Sequence, residues 1–199
     1  MTVQTCALPI LQSFVERVLA RSPTNPFLED FASFQHLVAE YGMYNALSQV
    51  LIKILAPGVP DFYQGTEGWD LSLVDPDNRR PVDYPGRAKT LEHLLKEAGR
   101  AGAARLKFAQ ELLDSRQDGR IKFYVTTTGL RYRAAHIALF QEGDYVPLDA
   151  TGTKKDRLCS FARISGDLAV VAVAPRLVAG LMGDTVGPPV GKEIGRAHV

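Results

Sequence analysis

The run from Leu55 to Arg87, LAPGVPDFYQGTEGWDLSLVDPDNRRPVDYPGR, decides how the rest of the chain is read. Five carboxylates (Asp61, Glu67, Asp70, Asp75, Asp77) precede the paired guanidinium groups of Arg79 and Arg80, and Asp83 follows. Tyr63, Trp69 and Tyr84 are interleaved with them, between turn-forming Pro and Gly residues. Core segments do not concentrate charge in this way. Aromatic faces beside carboxylates and arginine forks suit a sugar-binding cleft: rings stack on pyranose C–H faces, and charged groups make directional hydrogen bonds to hydroxyls.

Outward from this run, the apolar spacing predicts helices. Residues 11–20 place Leu11, Phe14, Val15, Val18 and Leu19 on one face. Ser22-Pro23-Thr24 interrupts, and Asn25 offers an N-cap with Pro26 at the first helical position. The following helix carries Phe27, Phe31, Phe34, Val38 and Tyr41 at three- and four-residue steps, so an aromatic face is expected to be buried. Gly42 suggests a break or bend, after which helical spacing resumes from Met43 to Leu55 and stops at Pro57-Gly58. Val59 to Gln64 reads as a short strand, and Gly65 and Gly68 open a loop from its C-terminal end. This helix–strand–loop order suits one unit of an α/β barrel, in which loops after the strands build the active site.

Downstream, residues 88–98 and 103–114 are amphipathic helices. Residues 119–135 fit a strand (Ile121, Phe123, Val125) and a helix (Ile121, Tyr124, Val125, Thr128, Tyr132) about equally well. From Tyr145 the pattern turns β-like in YVPL, LCSFARI and LAVVAVAPRLV, placing a composition boundary near residue 140.

Composition narrows the classes. A net charge of +1 with dispersed Lys and Arg excludes a basic nucleic-acid face, and no apolar run approaches a membrane span. Apart from His198 near the C-terminus, the histidines His36, His93 and His136 lack metal-ligand spacing, so no metal site is expected. The two ends need separate treatment. TCALPI at residues 5–10 and EIGRAHV at 193–199 can be encoded by opposite strands of one oligonucleotide resembling a sequencing adapter. Residues 1–10 and 193–199 are therefore expected to be scars, and the remaining sequence is expected to be truncated at both ends. With Cys6 set aside, Cys159 has no internal partner, and a reducing cytoplasm is the expected compartment.

With these elements in place, PGVPDFYQGTE resembles the eighth-strand motif of the α-amylase superfamily. Its continuation, WDLSLVDPDNRRPVDY, is more specific and resembles the maltooligosyl trehalose synthases. NPFLEDF, GMYNALSQVLIKILAPG, DGRIKFYV, ALFQEGDYVPL and CSFAR are similar to segments of the same family in the same order. The resemblance implies an α/β plus β fold. Residues 11–140 would form the last part of a (β/α)8 barrel with strand eight, and 141–192 the start of an antiparallel β-sandwich domain. It makes 119–135 a helix. It implies an isomerase with a retaining glycosidase mechanism that converts the reducing-end α-1,4 bond of a maltooligosaccharide into an α,α-1,1 bond. The implied substrate is a glucan, no cofactor is needed, and the implied functional partner is a maltooligosyl trehalose trehalohydrolase.

The family's catalytic carboxylates lie on strands four, five and seven, which precede every matched segment, so no catalytic residue is assigned. By resemblance Tyr63, Gln64 and Glu67 border or brace the cleft. Asp75, Asp77, Arg79 and Arg80 carry the branch-specific signature and are expected to shape the subsite of the accepting glucose, with Trp69 available to stack on sugar. The bland alternative is that Arg79 and Arg80 pair with Asp75, Asp77 or Asp83 to hold a long loop. Three positions depart from the family pattern: Gly68 in place of a bulky apolar residue, TTTG at 126–129, and Ile137. Competing readings are another α-amylase-superfamily hydrolase or transferase, which DPDNRRPVDY argues against, and a stand-alone carbohydrate-binding module, which would not need the helix–strand unit before the motif. The nucleotide record is expected to show adapter codons at both ends; other codons there would sink the scar assignment.

Overall fold

The computed structural model describes residues 4–182 and 187–189. The chain divides into two compact units, Met1–Gly42 and Met43–Val199. The tail expectation at 193–199 lies outside the described residues.

In the first unit, α1 spans Gln4–Val18 and so begins within the stretch set aside as a scar. Asn25 closes the connection at both ends. Its side-chain amide donates to the Val18 and Ala20 carbonyls, and its Oδ1 accepts from the Phe27 and Leu28 amides. That N-cap starts α2 at Pro26, as the spacing predicts. The expectation that the aromatic face is buried is corrected: Phe27, Phe31, Phe34 and Val38 are 46%, 49%, 62% and 50% exposed. About half of each of these side chains is open to solvent.

The expected break at Gly42 is also corrected, because α2 is continuous from Pro26 to Leu55. What changes at Gly42 is the azimuth of the apolar stripe. At 3.6 residues per turn, the stripe of Phe27 to Tyr41 and the stripe of Leu47 to Leu55 lie roughly 150° apart. The sequence therefore shifts its apolar face without ending the helix.

In the second unit the end of α2 enters the main core. Val50, Ile54 and Leu55 pack with Leu139 and Phe140 of α6 (Ile137–Gln141), Phe161 of β2 (Leu158–Ser165) and Ala172 of β3 (Leu168–Pro175). A second cluster joins Leu94 of α3 (Tyr84–Ala98), Phe108 and Leu112 of α4 (Ala103–Asp114), and Phe123 of α5 (Arg120–Ala135). Helix α5 links the two clusters, since its Val125, Leu130 and Tyr132 border the first.

Three antiparallel strands form one sheet in the order β1-β2-β3, with β1 at Asp144–Pro147. Asp144 pairs with Ile164, and Phe161 pairs with Ala172. The β-like pattern thus holds, except that β3 stops at Pro175 and α7 (Ala179–Met182) follows. Arg163 fastens the sheet to α6. It is 2% exposed and donates to the carbonyls of Phe140 (3.1 Å) and Gly143 (2.7 Å).

The strand expected at Val59–Gln64 is absent. The segment runs in irregular conformation from the Pro57-Gly58 corner, where Gly58 has φ +100°. A strand exists only through ladder hydrogen bonds, and no neighbouring strand lies beside this segment among the described residues. Lys53 holds it instead: its ammonium donates to the Asp61 carbonyl at 2.7 Å and sits 3.9 Å over the Phe62 ring. Among the described residues no helix is long and apolar enough to cross a membrane.

Ile54 is fully buried, so Ile54→Ala is expected to cost about 2–5 kcal/mol. Leu71→Ala, at a side chain 93% exposed, is expected to stay within about 0.5 kcal/mol of zero. Urea unfolding of both variants checks the contrast, and equal midpoints would contradict this placement of the core.

Candidate functional site

The loop from Val59 to Asp83 is held by cations from the helices around it. Arg133 of α5 turns its guanidinium onto the end of α2 and the corner after it, donating to the carbonyls of Ile54 (2.6 Å), Ala56 (3.2 Å) and Gly58. The Ile54 carbonyl is one of the orphans that a helix end cannot satisfy internally. Lys122 of the same helix donates to the Gly68 carbonyl at 2.9 Å, and its ammonium lies 5.9 Å from the Trp69 ring centre. Burial pushes the Lys122 ammonium below the usual lysine range, and the nearby Asp70 carboxylate opposes that shift. Arg87 of α3 binds Glu67 Oε2 at 2.7 Å and the Gly65 carbonyl at 2.9 Å.

Glycine matters where the loop meets α5. Gly119 has φ +81°, and a Cβ there would come within 3.0 Å of the Trp69 backbone nitrogen. Trp69 fits against that corner, its indole N–H donating to the Arg116 carbonyl at 2.7 Å. The ring expected to stack on sugar is thus half-buried and tied by its polar edge. Gly68 has open space around it, and its carbonyl is the one that Lys122 holds.

The signature carboxylates and guanidinium groups pair within the loop. Arg79 binds Asp75 at 2.6 Å, with both side chains more than half exposed. Arg80 binds Asp77 Oδ1, while Asp77 Oδ2 accepts from the Leu73 amide at 2.7 Å. Asp70 accepts from both the amide and the hydroxyl of Ser72. Asp83 caps α3 by accepting from the Gly86 amide, and Gln64 accepts from the Tyr84 hydroxyl at 3.0 Å. Tyr63 is 46% exposed, and its carbonyl receives the Thr66 hydroxyl.

Of the eight expected residues, Gln64, Asp77 and Arg80 line one groove of about 410 Å³, together with Asp70, Ser72, Asn78 and Arg87. Tyr63, Glu67, Trp69, Asp75 and Arg79 do not line it. Two buried polar atoms of its lining residues lack partners, the acceptor Asn78 Oδ1 and the donor Arg87 Nε. Sequence reasoning missed Arg87, Lys122 and Arg133 as organisers. Only Arg87 carried a signal, as the basic residue closing the quoted run. Lys122 and Arg133 act across 54 and 75–79 residues, a separation at which spacing carries no information.

No protein-family profile matches the chain. Two curated proteins of Mycobacterium tuberculosis, from strains CDC 1551 / Oshkosh and ATCC 25618 / H37Rv, are named as maltooligosyl trehalose synthases. Each is 40% identical over 129 residues, covering 65% of this chain and 14% of the relative. Among solved structures, maltooligosyltrehalose synthase from Arthrobacter ramosus is 34% identical with a TM-score of 0.62, over 83% of this chain and 19% of that one. A hypothetical maltooligosyl trehalose synthase of Sulfolobus tokodaii is 32% identical with a TM-score of 0.54, over 77% and 18%. The chain is therefore similar in sequence and structure to a segment of maltooligosyl trehalose synthases, and spans about a seventh of the length of the curated relatives it matches.

Two measurements test the loop. Asp70 lies below the usual carboxylate range chiefly through its Ser72 hydrogen bonds, and Asp77 through the Leu73 amide and then Arg80. Carboxylates depressed in the folded state contribute stability that is complete above their unfolded value and lost as pH falls through the folded one. The Ser72 and Leu73 amide resonances are therefore expected to hold steady down to about pH 4 and shift below it. Asp77→Asn should abolish the acid shift at Leu73; an unchanged titration would refute the contact. Separately, Arg87→Ala is expected to speed chymotrypsin cleavage near Trp69–Leu73 about tenfold by freeing one end of the loop. An unchanged rate would remove Arg87 as its anchor.

Proposed function

We propose that this chain is the closing part of the (β/α)8 barrel and the start of the C-terminal β-domain of a maltooligosyl trehalose synthase. In this reading its loop supplies one wall of the glucan cleft. The observation that carries the reading is the DPDNRRPVDY string on an exposed, cation-braced loop, within a chain 40% identical to proteins named for that activity. Val59–Gln64 then becomes strand eight once the preceding strand stands beside it, because an extended segment ladders only against a neighbour.

The chemistry proposed for the whole enzyme is an intramolecular transglucosylation. A carboxylate nucleophile displaces the reducing-end glucose and forms a glycosyl-enzyme. A second carboxyl protonates the leaving oxygen, then takes the proton from the anomeric hydroxyl of the same glucose as that hydroxyl attacks. Bond count is conserved, with one α-1,4 bond broken and one α,α-1,1 bond formed, and neither cofactor nor water is consumed. The nucleophile and the acid/base belong to parts of the longer enzyme, not to the carboxylates of this loop.

This chain's task is to keep the released glucose in place while it turns, before water reacts. Asp77 and Arg80 meet the groove while paired to each other and to backbone, which fixes their orientation before sugar arrives. Asn78 and Arg87 line the same groove, and each keeps one buried polar atom without a partner, the acceptor Oδ1 and the donor Nε. Asp75 and Arg79 face solvent from the same loop and can reach hydroxyls farther along the glucan. Tyr63, Gln64, Glu67 and Trp69 brace the base of that wall. A cytoplasmic location and a trehalohydrolase acting on the product complete the proposal.

Purified chain incubated with maltopentaose is expected to release no trehalose-ended product; its appearance would overturn the division of labour proposed here. In a full-length reading frame carrying this segment, Arg80→Ala is expected to raise hydrolysis relative to trehalose formation about tenfold, since a loosely held glucose loses the race to water. An unchanged product ratio would take Arg80 out of the site.

A further inference from the structure

Glu67, the carboxylate of the eighth-strand motif, does not line the groove of Gln64, Asp77 and Arg80, but the cation it holds does. Glu67 Oε2 accepts from Arg87 Nη1 at 2.7 Å, and Nη2 donates to the Gly65 carbonyl at 2.9 Å. Gly65 makes this approach possible. It has φ +85°, and a Cβ there would lie 3.1 Å from Val82 Cγ2 and 3.9 Å from Arg87 Nη2. A guanidinium carries five N–H donors, and two contacts engage this one. The other donors stay unused, Nε–H among them, on a side chain that lines the groove.

We infer that Arg87 is a sugar-contacting residue that favours transfer over hydrolysis, and that Glu67 is its positioning residue. This rests on the reading of the loop as one wall of the glucan cleft. The other cation of the groove is held less firmly: the Arg80 side chain is 72% exposed, whereas those of Arg87 and Glu67 are each 31% exposed. A charge-assisted bond between partly buried groups, joined by a second bond to a backbone carbonyl, fixes the fork before a ligand arrives. Arg87 therefore has little rotamer freedom left to lose on binding, and it offers its remaining N–H groups from a set position.

Charge identifies the class of ligand. Arg87 is neutralised by Glu67, and Arg80 by Asp77. Asp70 and Asp83 also line the groove, and they accept from Ser72 and from the Gly86 amide rather than from a cation. A groove whose cations are already paired, and whose other carboxylates add negative charge, disfavours a phosphate or a carboxylate. It suits a neutral polyol, whose hydroxyls accept from Arg87 and donate to the carboxylates. A glucose released in the cleft is kept from drifting by such contacts, and losing them gives water time to react first.

The test uses a full-length reading frame carrying this segment, with maltopentaose as substrate. Arg87→Lys keeps a cation for Glu67 but removes the fork. It is expected to raise hydrolysis relative to trehalose formation about tenfold, while chymotrypsin cleavage near Trp69–Leu73 stays within about twofold of the parent. Glu67→Leu is expected to shift the product ratio as far as Arg87→Lys does, with no further shift in the double variant. Glu67→Gln still accepts from the guanidinium and is expected to recover most of the ratio. An unchanged ratio in Arg87→Lys overturns the sugar contact and leaves Arg87 as an anchor. A shifted ratio accompanied by cleavage as fast as in Arg87→Ala assigns the loss to a loosened loop and overturns it too. Additive effects of the two substitutions overturn the action of Glu67 through Arg87. A parent enzyme that makes no trehalose-ended product overturns the reading of the cleft, and this inference with it, whereas an active parent with an unaltered Arg87→Lys variant overturns this inference alone.

Discussion

The fork that Arg133 places on the end of α2 is the contact on which the candidate site depends. A helix ending at Leu55 leaves carbonyls that must find donors, and the Pro57-Gly58 corner supplies none within reach. One guanidinium from α5 answers the Ile54 carbonyl and also takes those of Ala56 and Gly58 in the corner that follows. This fixes where the helix stops and where the loop leaves, so it sets the origin from which every signature residue is displaced. The same side chain lies 4.8 Å from the Phe140 ring centre, in the core that Arg163 shares from the sheet side. A half-buried and a buried cation, Arg133 and Arg163, meet one ring and, with backbone carbonyls as their acceptors, join helices, loop and sheet without a carboxylate.

Helix α5 is what makes that arrangement possible, and its own sequence is poorly suited to being a helix. Thr126, Thr127, Thr128 and Gly129 fall in its middle, where β-branched and glycine residues carry low propensity. Packing compensates. Gly129 admits Ile54 so closely that a Cβ would lie 3.1 Å from its Cδ1 and Cγ2, and the Thr126 hydroxyl bonds back to the Lys122 carbonyl. The TTTG stretch therefore coincides with a close approach of α5 to α2 in the main core.

Much of this was legible in the sequence where physics is local. The Asn25-Pro26 cap, the bounds of α4, the Pro-Gly stop and the three β segments follow from capping, periodicity and turn chemistry. The ambiguity at 119–135 could not be resolved that way, because alternation and helical spacing coexist there and family resemblance decided for the helix. The readings that failed are those needing knowledge of neighbours. Val59–Gln64 has the composition of a strand but no ladder partner. Phe27 to Val38 has the pattern of a buried face but stays about half open to solvent. Gly42 looked like a terminus because a stripe shifting around a continuous helix resembles one helix ending and another beginning. In the site, the loop's internal ion pairs were within reach of sequence, since three- and four-residue separations pair naturally. Lys122 and Arg133 were not.

The Glu67–Arg87 bond has a consequence for how such a loop can change. It joins two points twenty residues apart, and Arg87 also holds Gly65. The intervening chain is thus a closed ring on a fixed base, with Leu71, Leu73 and Val74 almost fully in solvent at its rim. Lengthening a ring of this kind adds only about 0.6 kcal/mol per doubling of its residues. Residues at the rim can be inserted, deleted or exchanged while the base, and the helices bound to it, stay in register. Selection can therefore act on what the rim recognises almost independently of what keeps the protein folded.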